Sequence, residues 1–97
     1  MNDSRPATPP TQLVSVYEAV NDGLKEIYLG TTTLLSDQLV SQFQRTRPSV
    51  VAHWKGEHKV YINIVEYSIP MRDVESFISH YSSSAASAGW KTLRERA

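Results

Sequence analysis

The segment Leu13–Thr32 (LVSVYEAVNDGLKEIYLGTT) constrains this chain more than any other. Its first part alternates Val14 and Val16 with Leu13, Ser15 and Tyr17, a β-branched pattern that suits a pleated, half-buried strand. Asn21-Asp22-Gly23 follow, residues that tolerate positive φ and so supply turn chemistry. Lys25–Thr32 (KEIYLGTT) then returns as a second strand. An antiparallel hairpin is therefore predicted at 13–32, and the rest of the fold must be built against it.

Downstream the period changes. Leu35, Leu39 and Phe43 recur at helical spacing with Val40 beside them, which predicts a helix over Leu34–Arg45. Thr32 or Thr33 is expected to cap its start and Pro48 to stop it. Pro48 also suits the first turn of a short second helix, Ser49–Trp54. Lys59–Ile69 (KVYINIVEYSI) alternates Val60, Ile62 and Ile64 with Tyr61, Asn63 and Val65, the clearest strand pattern in the chain. Pro70 opens a further helix over Met71–Tyr81, with Val74, Phe77, Ile78 and Tyr81 on one stripe. Ser82–Gly89 reads as a frayed helix end or loop, and Trp90–Arg96 as a short basic tail anchored by Trp90 and Leu93. Residues 1–12 carry three of the five prolines and read as a flexible leader, leaving 13–97 as a single domain. The order β-β-α-(α)-β-α predicts an α+β domain with a small three-stranded antiparallel sheet flanked by helices.

A chain of 97 residues has room for one small core, so its stability rests on a few large side chains. Ten basic and ten acidic residues give zero formal net charge, which argues against a protein that coats nucleic acid. Cysteine is absent, which excludes disulfides, zinc–thiolate sites and thiol chemistry. Neither an apolar signal core near the start nor a run approaching about 18 apolar residues is present, so a cytoplasmic protein without membrane contact is expected.

Ser15-Val16-Tyr17, ten intervening residues, and Tyr28-Leu29-Gly30 lie on the two hairpin strands. In this the chain resembles the GIY-YIG nucleases, whose signature is Gly-Ile-Tyr, a spacer of similar length, and Tyr-Ile-Gly on the first two strands of a small sheet. The order of elements that follows is also similar, and the resemblance extends over about Leu13–Leu93. It implies a phosphodiester-hydrolysing scaffold. In such chemistry a metal ion neutralises the scissile phosphate, a hydroxyl orients the attacking water, and an arginine binds the charge that develops.

Carried over, the tyrosines are Tyr17 and Tyr28. The metal-holding glutamate is Glu75, within Asp73-Val74-Glu75-Ser76-Phe77-Ile78 and near a helix start, where the resemblance implies one Mg²⁺. The arginine position, ten residues after Tyr28, is Gln38. Gln42 stands where many members have histidine, Thr31 where a basic residue often follows the glycine, and Ser15 where the motif opens on glycine. Arg45 shares a helix face with Gln38 but lies about 10 Å further along. Glutamine brings no charge to a phosphate, and loss of one transition-state donor costs about 2.7–4 kcal/mol.

Each residue also has a plainer reading. Tyr17 and Tyr28 suit cross-strand packing, Gly30 a strand-end bend, and Glu75 the first turn of a helix. His53, His58 and His80 match no zinc spacing. Arg45, Arg47, Lys55 and Lys59 form a basic stretch with Glu57 as its one acidic residue; they are the candidate nucleic-acid contacts, and Trp54 among them suits either base stacking or a core. The expectation is a GIY-YIG-like domain that is catalytically impaired and binds nucleic acid or protein. Two alternatives stand beside it. One is an active Mg²⁺-dependent DNA endonuclease; the other is a small protein-interaction domain that uses a sheet edge or tyrosine face. DNA, or a protein partner supplying specificity, are the expected partners.

Overall fold

The computed structural model describes residues 12–56 and 59–94. The predicted leader, apart from Gln12, lies outside the described residues, as do Glu57, His58 and Arg96. Four strands form one mixed sheet: β1 (Leu13–Asn21), β2 (Glu26–Thr32), β3 (Val60–Pro70) and β4 (Lys91–Arg94), in the spatial order β3-β1-β2-β4. Two α-helices join them, α1 (Ser36–Arg45) and α2 (Val74–Ser87), with 3-10 turns at Ser49–Val51 and Met71–Asp73. The α+β class agrees with the sequence pattern.

Alternation along the strands divides the core in two. Val14 and Val16 of β1 and Ile27 and Leu29 of β2 face α2, where they are buried with Val74, Ile78 and Ala85. Their neighbours Tyr17, Ala19 and Tyr28 point to the opposite face and are buried with Leu39 and Phe43 of α1, Val51 and Trp54. The sheet thus lies between one helix on each face. Period-2 alternation has this consequence: adjacent residues of the hairpin serve different cores.

The hairpin forms in the expected register, with Tyr17 opposite Gly30 and Asn21 opposite Glu26. Its turn works differently from the expectation. Asn21 is fully buried, and its Oδ1 accepts the Leu24 N–H at 3.1 Å. The left-handed residue is Lys25 (φ 57°), not one of Asn21-Asp22-Gly23. A loop pinned this early by an Asx-type bond leaves its last residue to reverse the chain.

Four further expectations are corrected. The sheet has four strands and is mixed, because the stretch read as a basic tail supplies β4, parallel to β2. Four residues carry no readable alternation; their pairing depends on a strand edge some sixty residues earlier in the chain. Ser82–Ser87 continue α2 because Ala85 is buried against β1 and β2, and Gly89 (φ 92°) turns the chain into β4. Neither Thr32 nor Thr33 caps α1. The Thr32 hydroxyl instead accepts the Leu34 N–H at 2.9 Å, and the helix starts after Leu35. The short second helix narrows to the 3-10 turn Ser49–Val51.

β3 is an edge strand with two distinct halves. Val60–Ile64 pair regularly with Tyr17–Asn21, whereas register shifts interrupt the pairing of Val14–Tyr17 with the far half, where Ser68 has φ 53°. Bulges of this kind twist a strand edge away from further pairing. No described strand pairs with the outer edge of β3.

Candidate functional site

Tyr17 and Tyr28 are brought together, with ring centroids 5.9 Å apart, and both are almost completely buried at 7% and 5% exposure. They begin an aromatic series beneath α1: Tyr28 meets Phe43 at 6.1 Å and Phe43 meets Trp54 at 6.4 Å. Trp54 therefore packs in the core. Gly30 lies directly under the Tyr17 ring, and a Cβ placed there would be 2.9 Å from the ring's Cε1, Cζ and Oη. The Tyr–Gly cross-strand pair has a packing explanation of its own: an aromatic covers the strand where glycine leaves space.

Beside Tyr17 is a hollow of about 120 Å³ whose walls include Thr31 and Gln42. Gln38 is not there. It is exposed one turn earlier, and its Oε1 accepts the Leu35 N–H at 3.3 Å, which satisfies one of the free donors at the start of α1. Gln38 and Arg45 both line a shallow depression on the outer surface of α1.

Glu75 lies across the sheet from the tyrosines, on α2. Its side chain is 77% exposed and its carboxylate accepts a bond from Arg94 Nη1 of β4 at 2.8 Å. That hydrogen bond, with the charge of Arg94, lowers its pKa, and the same contact raises that of Arg94. A lone carboxylate compensated by a guanidinium does not fit a Mg²⁺ site. Among the described residues no group of three or more His, Cys, Asp or Glu side chains is placed to hold a metal ion.

Two polar clusters connect residues too distant in sequence to suggest each other. On the α1 face, Glu26 Oε1 accepts Trp54 Nε1–H at 2.8 Å and lies 2.6 Å from His53 Nε2. Burial opposes ionisation of Glu26, but the bonds from Trp54 and His53 and the charges of His53 and Lys91 outweigh it, so its pKa is lowered. On the α2 face, Glu18 accepts bonds from the Tyr81 hydroxyl and, at 3.2 Å, from Asn63 Nδ2. Burial and the adjacent Glu18 carboxylate push the Tyr81 phenol up to about 12. The only sequence signal for either cluster was a polar residue within an apolar alternation, at Glu18 and Glu26.

The basic stretch is only partly gathered. A groove of about 450 Å³ runs between α1 and the outer edge of β3, lined by Val40, Phe43 and Gln44, by Arg47 and Gly56, and by Val60–Asn63. Arg47 is in its wall and donates Nη1–H to the Trp54 carbonyl at 3.2 Å. Lys55 and Lys59 are exposed and adjoin the lining residues Gly56 and Val60. Arg45 faces the depression on the other side of α1. No acidic residue lines the groove among the described residues.

The chain matches no protein-family model, no curated protein and no solved structure. No helix among the described residues is long and apolar enough to cross a membrane.

Proposed function

We propose that this chain is a non-catalytic binding module, resembling a GIY-YIG domain in its hairpin, that takes an anionic partner in the groove between α1 and β3. The observation that carries this reading is the separation of the four candidate catalytic positions. Tyr17 and Tyr28 are core residues under α1, Gln38 is an exposed residue at the start of that helix, and Glu75 is bonded to Arg94 across the sheet. A phosphate in contact with Glu75 is on the opposite face of the sheet from the two tyrosines. Phosphoryl chemistry depends on donors and metal converging within hydrogen-bonding distance of one reacting centre. The groove supports the second half of the reading, since Arg47 is in its wall, the exposed Lys55 and Lys59 adjoin its lining residues Gly56 and Val60, and no acidic residue lines it among the described residues.

Incubation of the protein with supercoiled plasmid and Mg²⁺ tests the first half. The plasmid is expected to remain uncut with both the natural chain and Gln38→Arg, because an arginine at that exposed position does not bring Glu75 to the tyrosines. Nicking that disappears in Glu75→Ala would overturn the reading and restore the active endonuclease.

A further inference from the structure

We infer that the groove is half of a site: a second copy of this chain pairs antiparallel with the outer edge of β3, about a two-fold axis at Ile62, and supplies the missing wall. This inference rests on the binding-module reading and names what completes its groove. Three observations carry it.

The first is the strand edge. β3 is the terminal strand of the sheet, and its regular half, Val60–Ile64, borders the groove. Sheet edges are ordinarily guarded against pairing by charged side chains, proline or bulges. Val60-Tyr61-Ile62-Asn63-Ile64 has none of these: its residues are uncharged, and the register shifts and the left-handed Ser68 lie beyond it. Within it the Tyr61 ring is left 53% exposed.

The second is self-complementarity. Antiparallel pairing about a two-fold sets residues equidistant from the axis opposite each other, on the same face of the sheet. With all five residues of the regular half paired, Ile62 meets its own mate on the axis, Val60 meets Ile64, and Tyr61 meets Asn63. Apolar side chains thus meet apolar ones on the α1 face, an aromatic meets an amide on the other, and no like charges are opposed. Zero net charge adds no long-range repulsion against a second copy.

The third is what the pairing does to the groove. Val60, Ile62 and Ile64 pack toward the α1 core, and Val60 and Ile62 line the groove with Val40 and Phe43 of α1. On its other side the groove ends at the unpaired edge of β3. A two-fold perpendicular to the sheet keeps both α1 helices on one face. The second β3, about 4.8 Å away, therefore widens the apolar floor, and the second α1 becomes the opposite wall. In a single copy Arg47 is the one charged residue of the lining among the described residues. The paired cleft has an Arg47 on each side, and these two guanidinium groups are what an anion there meets.

Sedimentation of the full chain from micromolar to near-millimolar concentration is expected to show a monomer–dimer equilibrium. The chain has no cysteine, so a single introduced thiol reports only on its own symmetry mate. Ile62→Cys is expected to form a covalent dimer under a mild thiol oxidant. Tyr67→Cys, at a more exposed position in the bulged half, should stay monomeric; random collision would give the reverse order. Ile62→Lys and Ile62→Glu should each be monomeric and, when mixed, form a heterodimer, which a variant that had lost its fold does not do. A single-stranded oligonucleotide serves as the anionic probe. The oxidised Ile62→Cys dimer is expected to bind it at least about tenfold tighter than the reduced protein held dilute enough to be monomeric, and Arg47→Gln in that dimer should weaken it. A chain that is monomeric at every concentration, or that cross-links at Tyr67 as readily as at Ile62, would overturn the pairing and leave the binding module standing. Equal, measurable affinity of the oxidised and reduced proteins would overturn the shared cleft. Self-association in which no form binds the probe would remove the anionic partner and leave the paired edge in place.

Discussion

The two faces of the sheet are built on different principles. Beneath α1 the buried residues are mainly aromatic, a series from Tyr17 through Tyr28 and Phe43 to Trp54 that closes on the carboxylate of Glu26. Beneath α2 the buried residues are aliphatic, and the polar ties of Tyr81 to Glu18 and of Arg94 to Glu75 sit toward the outside. Residues with nuclease-like spacing are thereby split: the tyrosines became the core of one face and the glutamate became the surface of the other. Linear spacing fixes how far apart two residues are along a strand or helix. It says nothing about which side of a sheet a later helix will cover.

The largest test of this contrast is truncation of Tyr28. Removing a buried aromatic costs about 3–5 kcal/mol, and Tyr28→Ala is expected to fall in that range by urea denaturation. An effect below about 1 kcal/mol would mean that Tyr28 is not part of a packed core, and its site role would return. Gly30→Ala should come next. The new methyl meets the Tyr17 ring at 2.9 Å, and that ring is held under Leu39 and Phe43, so overpacking of about 1–3 kcal/mol is expected. In a Tyr17→Ala background the same change should cost less or even stabilise, because alanine is preferred to glycine once the ring is gone. Additive effects would show that the ring and the glycine do not meet.

Glu26 distinguishes the faces by pH. Its side chain is 13% exposed and takes bonds from Trp54 and His53, so Glu26→Gln is expected to cost about 1–3 kcal/mol at neutral pH. Since its pKa is lowered in the folded chain, its contribution is present above the ordinary glutamate value and is lost as pH falls through the lower folded value. The difference in stability between the natural chain and Glu26→Gln should therefore shrink on acidification. A difference that stays constant down to pH 3 would contradict an ionised Glu26 as the acceptor.

Local periodicity made much of this fold legible. The hairpin, α1, β3 and the start of α2 each announce themselves by a repeat of two or of about three and a half residues, and all four occur close to where the pattern places them. Elements whose existence depends on distant partners were not legible. β4 has four residues and exists because β2 offers an edge, and the serine- and alanine-rich end of α2 is helical because Ala85 finds a place on the sheet. The candidate site divides in the same way. The contact of Tyr17 with Tyr28 follows from hairpin register, which turn chemistry and alternation specify together. The bond of Glu75 to Arg94 required knowing that the last residues form a strand, and the basic groove required knowing that β3 lies at the edge.

Glu75 carries the smallest expected effect and the sharpest contrast with Tyr28. An ion pair whose carboxylate is exposed is weakened by solvent screening and by the entropy of holding two long side chains together. Glu75→Gln should therefore leave the urea midpoint unchanged within error at physiological salt. Arg94→Ala should lower it, because the arginine side chain is about two-thirds buried (37% exposed), so that buried contact is lost along with the charge. Were Glu75 the held ligand of a metal site, the order would reverse in the presence of Mg²⁺: the ion would raise the midpoint of the natural chain, and Glu75→Gln would abolish that rise. An absence of any Mg²⁺-dependent shift in either protein is the outcome expected of a surface glutamate whose partner is Arg94.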